Sequence, residues 1–142
     1  GTLTQNRMIV AHIYYDSKVY IATDGNGEAT YNKNDASFKR LYQVATLCNN
    51  ATFVNNKENL AKPVLERTCN GDASESACVK FCHPIQDVVQ FRNLNRQITA
   101  VPFNSHNKYQ VSINQMENDP DSDRLLLMKG APEQVFTRCD SI

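Results

Sequence analysis

The sequence predicts an α+β domain built of antiparallel strand pairs and amphipathic helices. Three observations lead there. Runs rich in Ile, Val and Tyr come in pairs joined by short polar segments, at 7–23 and again at 97–115. Between the pairs, apolar residues recur at three- and four-residue spacing. A last apolar run at 125–128 is followed by Gly130 and Pro132, the punctuation of a strand passing into a helix.

Taken in order, 7–15 and 19–23 read as strands around a turn at Asp16, Ser17 and Lys18. Residues 24–28 are a flexible loop by composition, and polar residues continue through Asn34. Phe38, Leu41, Tyr42, Ala45 and Cys48 then form the apolar stripe of a helix running to about Asn49, with Asp35 or Asn34 as its cap. A short strand is expected at 51–54, and a helical stretch at 58–67 until Pro63 interferes. Asn70 and Gly71 break the chain. Asp72, Ala73, Ser74 and Glu75 have the spacing of a capping box, opening a helix through Cys82 before Pro84. On spacing alone, reciprocal capping is the favoured role for Glu75 over ligand binding. Val88, Val89, Phe91 and Leu94 mark a further helix.

Residues 97–103 and 108–115 are strands joined by the polar 104–107. Alternation puts Tyr109, Val111 and Ile113 on one face and Lys108, Gln110 and Ser112 on the other, so a cation and an amide share a surface. Phe103 stands at the mouth of this hairpin, where an aromatic either joins the core or, if exposed, can stack on a flat heterocycle. Asp119, Asp121 and Asp123 begin like a calcium loop, but Arg124 occupies the turn-glycine position and Gly130 that of the terminal glutamate, so 117–123 reads as a solvated loop. The last strand ends at Lys129. Pro132 and Glu133 suit a first helical turn, and Gly130 lets a ligand approach the backbone beside the Lys129 ammonium, which makes an anion seat or an ordinary strand-to-helix connection.

The 142 residues, 41% hydrophobic and 21% charged, suit one domain with a real core. Lys plus Arg equals Asp plus Glu at 15 each, so no net field draws nucleic acid or anionic lipid. No apolar run is longer than that at 125–128, which is far short of a membrane span, and the amino end lacks a signal pattern, so this piece is expected to be soluble. Cys48, Cys69, Cys78, Cys82 and Cys139 form no regular framework and suggest free thiols in the cytosol. Cys78 and Cys82 with His83 have a hint of zinc spacing, but tetrahedral zinc wants four ligands, and no metal site is assigned. The sequon at Asn50, Ala51 and Thr52 is then unmodified.

The run Gly1, Thr2, Leu3, Thr4, Gln5, Asn6, Arg7, Met8 resembles the stretch after the phosphorylated aspartate of P-type ATPases. Further matches are Gly71-Asp72-Ala73-Ser74-Glu75-Ser76-Ala77, then Pro102-Phe103-Asn104-Ser105 with Asn107-Lys108-Tyr109-Gln110, and Met128-Lys129-Gly130-Ala131-Pro132-Glu133. Their order and spacing are similar to those of the sodium/potassium and proton/potassium pump α subunits, and they span nearly the whole chain. The resemblance implies a single nucleotide-binding domain at 1–142, an antiparallel β-sheet flanked by helices, with 1–8 as the tail of the phosphorylation signature and a hinge. It implies that Phe103 stacks on adenine, that Glu75, Lys108 and Gln110 surround the nucleotide, and that Lys129 with Gly130 forms the pocket floor. The implied ligand is ATP, as Mg-ATP in an intact pump. The implied partners are the phosphorylation and actuator domains of a parent chain and a β subunit reached through its membrane domain, with no nucleic acid, at the cytoplasmic side of a plasma membrane. Lacking the acceptor aspartate, the fragment is expected not to hydrolyse ATP by itself.

Two positions depart from the family pattern. Asn50 stands where the sodium/potassium pumps commonly have Arg, and Ala100 where they have Glu, so an ion pair near the nucleotide is lost without stranding a charge. The family's domain also continues past Ile142 through more sheet and a further nucleotide-contacting Arg, so a truncated sheet with bare strand edges is expected. The alternative reading is a divergent domain with weakened nucleotide binding that serves as a structural or regulatory interaction module.

Overall fold

A computed structural model of the chain describes residues 8–23, 28–117 and 124–140. Three sequence expectations therefore lie outside the described residues: most of the signature run, the glycine-containing loop 24–27, and the acidic 118–123.

Asp16 and Ser17 both take left-handed φ, 51° and 62°, the geometry of a two-residue turn whose twist matches antiparallel strands. It joins β1 (His12–Tyr15) to β2 (Lys18–Ile21), with Tyr15 opposite Lys18. β1 begins at His12, later than the apolar run suggested. The Tyr15 hydroxyl donates to the Asp35 carboxylate at 2.8 Å, tying the hairpin to the start of α1 (Ala36–Leu47). Asp35 is the cap residue by position, but its side chain serves Tyr15 and makes no cap hydrogen bond, which corrects the capping role expected of it.

After α1, β3 (Thr52–Phe53) pairs with β4 (Cys69–Asn70), and α2 (Lys57–Leu60) lies between them. Pro63 ends the helical stretch as expected, leaving only a short turn of 3-10 helix at Val64–Glu66. α3 (Ala73–Cys82) and α4 (Val88–Leu94) follow, each capped by an aspartate: Asp72 accepts from the Glu75 N–H at 2.7 Å, Asp87 from that of Gln90 at 2.9 Å. The chain then forms an antiparallel sheet, in the order β5 (Gln97–Val101), β6 (Tyr109–Gln115), β7 (Arg124–Gly130), and ends on α5 (Pro132–Phe136) with Pro132 in the first turn. The strands thus form antiparallel sheets of two, two and three strands among the helices, an α+β arrangement. Among the described residues no helix is long and apolar enough to cross a membrane.

The core gathers on the inner side of α1. Phe38 and Tyr42 from α1, Val79 and Cys82 from α3 and Val88 from α4 are buried together with Tyr15, each large side chain contributing about 1.5–3 kcal/mol of transfer free energy. A second cluster joins Leu47 and Cys48 at the far end of α1 to Met116 and Leu127, seating the sheet on the helices.

Within β6 the predicted alternation holds, but the buried face is the polar one. Ser112 and Asn114 are each 2% exposed on the side shared with Leu127, whereas Val111 and Ile113 on the reverse side are only partly covered. The polar row is satisfied internally: Ser112 Oγ donates to Asn114 Oδ1, Gln97 donates to Ser112 at 3.2 Å, and Asn114 Nδ2 donates to the Asn95 carbonyl at 2.8 Å. The same register places Gln110 directly opposite Lys129.

Candidate functional site

The cleft that matters is built where α3 meets the end of the β6–β7 pair. The Asp72 cap fixes the first turn of α3 and so directs the Glu75 side chain toward the sheet. There Glu75 Oε1 accepts from Lys129 Nζ at 2.9 Å and from Gln110 Nε2 at 3.1 Å, while Oε2 accepts from the Asn50 backbone N–H at 3.3 Å. The reciprocal capping favoured by spacing is therefore not what the carboxylate does. A charge-assisted bond to an ammonium in a largely buried setting outcompetes a neutral backbone cap, and the side chains of Glu75 and Lys129 are only 9% and 28% exposed.

Phe103 lies at the opposite lip, 57% exposed, in the connection between β5 and β6. Lys108 ends that connection with a left-handed φ of 61°, just outside β6 rather than in it. Its carbonyl accepts the Ala131 N–H at 2.9 Å. Gly130 lies so close to this segment that a Cβ there would sit 2.5 Å from the Lys108 oxygen and 2.7 Å from Tyr109 Cα. Glycine at 130 is thus first a requirement of backbone packing inside the protein, where the sequence had suggested close approach of a ligand.

Glu75, Phe103, Lys108, Gln110, Lys129 and Gly130 line one cleft of about 620 Å³, so the residues that the resemblance assigns to the nucleotide are brought together. The volume is that of an ordinary small-ligand pocket. The lining also includes Asp72, Ser74, Cys78, Ser105 and Ala131, which sequence reasoning did not assign to it. A signal existed for Cys78, which follows Glu75 by three residues and shares its helix face. The bond from the Glu75 N–H holds the Asp72 carboxyl below the usual carboxylate range, partly offset by burial. Burial raises the Cys78 thiol, against the pull of the Lys129 charge, and pushes Cys82 up to about 12, so Cys82 is a protonated core thiol. Among the described residues no group of three His, Cys, Asp or Glu side chains is placed to hold a metal ion.

Asn50 and Ala100 both lie exposed near this cleft. The Asn50 backbone bonds Glu75, and Ala100 pairs with Ser112, one pleat from Gln110 on the same face of the sheet.

Comparison with known proteins decides the family. The family model described as "P-type ATPase, cytoplasmic domain N" matches residues 37–142. The chain belongs to that family. Every residue lining the N-domain cleft falls inside the matched span, whereas the β1–β2 hairpin lies before it. Over its whole length the chain is 44% identical to the sodium/potassium-transporting ATPase subunit alpha of Drosophila melanogaster and 45% identical to that of Hydra vulgaris. It is 40% identical to the potassium-transporting ATPase alpha chain 2 of Cavia porcellus. It spans 14% of the length of each of these relatives.

Proposed function

We propose that this N domain binds ATP in the Glu75–Phe103–Lys129 cleft and, within a P-type cation pump, presents the γ-phosphate to the phosphorylation domain. The observation that carries the reading is the pairing, across one cleft, of an exposed aromatic ring with a carboxylate, an amide and two lysines. Phe103 offers an uncovered face for the adenine ring. Glu75 Oε2, which accepts the 3.3 Å bond from the Asn50 N–H and has no other partner among the described residues, is the acceptor for the adenine amino group. Lys129 uses one of its three donors on Glu75, leaving the others, with Lys108 and the Gln110 amide, for the ligand's oxygens. Gly130 and Lys129 form the floor. Magnesium would arrive with the phosphates and supply charge neutralisation during phosphoryl transfer, which this domain serves by positioning.

In the pump, the partners of this domain are the phosphorylation and actuator domains of the parent chain, with a β subunit bound elsewhere through the membrane region. The domain works on the cytoplasmic side of the plasma membrane in sodium/potassium-type transport. The test is a nucleotide titration of the chain followed by NMR at Phe103, Gln110 and Lys129. ATP should saturate and shift these signals, and GTP should bind more weakly, because its ring oxygen would face the Glu75 carboxylate where adenine offers a donor. Absence of saturable ATP binding would instead favour the interaction-module reading motivated by Asn50 and Ala100.

A further inference from the structure

Arg92 stands near the end of α4, where a basic side chain ordinarily turns to the last carbonyls of its own helix. It crosses to the end of α1 instead. Nε donates to the Thr46 carbonyl at 2.9 Å, Nη1 to that of Ala51 at 2.7 Å, and Nη2 to that of Asn49 at 3.1 Å. Thr46 lies in the last turn of α1, so its carbonyl is one the helix itself leaves without a donor. Arg92 is partly covered, burial lowers its pKa, and among the described residues no carboxylate forms an ion pair with it. Its charge is held by three carbonyls and by the negative end of the α1 dipole.

The segment gripped in this way, 46–51, does not line the cleft but bonds two of the residues that do. The Cys48 carbonyl accepts from Gln110 Nε2 at 3.3 Å, Asn49 Nδ2 donates to the Glu75 carbonyl at 2.9 Å, and the Asn50 N–H reaches the Glu75 carboxylate. The two polar groups proposed to meet the nucleotide are therefore oriented by a turn whose carbonyls are held from behind. We infer that Arg92 is a positioning residue for nucleotide binding, acting through the 46–51 turn on Glu75 and Gln110 without lining the cleft itself. This rests on the nucleotide reading of that cleft. Lysine is a poor substitute, because its three donors sit on one nitrogen, whereas the guanidinium spreads its donors over three nitrogens, one to each carbonyl.

The test compares Arg92→Lys, Arg92→Ala and Arg67→Ala in the 142-residue chain. Arg67 is the control: it also grips backbone carbonyls, those of Leu60 and Lys62, but among the described residues it neither lines the cleft nor bonds the 46–51 turn. Arg92→Lys should weaken ATP on the order of tenfold. It should also move the Asn50 backbone amide and Gln110 side-chain amide signals in the ligand-free protein. Arg67→Ala should lower the melting temperature while leaving ATP affinity and those signals in place. Ethylguanidinium added to Arg92→Ala should restore part of the lost affinity. The inference is overturned if folded Arg92→Lys keeps both wild-type affinity and unmoved Asn50 and Gln110 signals, or if its loss of affinity is matched by Arg67→Ala at equal loss of stability. Should the wild-type chain bind no ATP, the proposed function falls, and the ligand-free signals alone decide: moved in Arg92→Lys they support the positioning role, unmoved they overturn it.

Discussion

The two faces of the β5–β6–β7 sheet differ in a way that inverts the usual rule. The face toward α1 carries Gln110, Ser112, Asn114 and Lys129 among its leucines and is well covered, whereas the reverse face carries Val101, Val111, Ile113, Leu126 and Met128 and is half open, with Leu126 at 61% exposure. The covered face can be polar because every group on it has a partner: Asn114 has Asn95 and Ser112, and Gln110 and Lys129 have Glu75. The lesson is that in this fold the covered face of the sheet is specified by hydrogen bonds, those of Gln110 and Lys129 to Glu75 in the cleft and those of Ser112 and Asn114 with Gln97 and Asn95 away from it, while apolar burial is concentrated in the helices.

The most damaging way to break this contrast is Asn114→Leu. It leaves the Asn95 carbonyl and the Ser112 hydroxyl without their partner in a covered site, and should lower stability by about 2–3 kcal/mol in urea unfolding. Phe103→Ala removes the exposed ring at the end of the same face. It should weaken ATP binding by about 1–3 kcal/mol in calorimetry, with the melting temperature unchanged. Glu75→Gln keeps the side-chain length and can still accept from Lys129 and Gln110, but it removes the charge at the centre of the cleft. Affinity should fall by about 1–2 kcal/mol and stability by less, and the reverse ranking would return Glu75 to a merely structural role.

A smaller effect sharpens the comparison at the exposed rim. Asn50→Arg combined with Ala100→Glu should raise ATP affinity, with coupling on the order of 1 kcal/mol in a double-mutant cycle, because either charge alone lacks compensation. Additive effects would show that the two positions do not face each other. Leu126→Lys, on the open face, should change stability by less than about 0.5 kcal/mol. A larger loss would mean that this face is covered by something that the described residues do not include.

How much of this was legible depended on how local the cause was. The Asp16–Ser17 turn, the Asp72 cap, the Pro132 start of α5 and the strand alternation are decided by neighbouring residues, and each was read at its place. Which face of β6 would be covered was not readable, because that is decided by α1, whose last turn is more than sixty residues earlier. The same reason hid the use of Glu75. Its spacing from Asp72 was visible and pointed to a cap, whereas its partners, Gln110 and Lys129, are brought to it only by the register of β6 and β7. Arg92 left no local trace: a basic residue near a helix end is what any helix would carry, and its reach across to the end of α1 belongs to the packing of two helices.

The bonds that centre on Glu75 span 35 residues to Gln110 and 54 to Lys129. Closing loops of that length costs chain entropy before any contact repays it, so these bonds should form late in folding and open early in fluctuation. The cleft is then the thermodynamic seam of the domain. A ligand that bridges α3 to β7 should slow hydrogen exchange along that seam well beyond the residues it touches, and make the protein's resistance to unfolding rise with the logarithm of its free concentration.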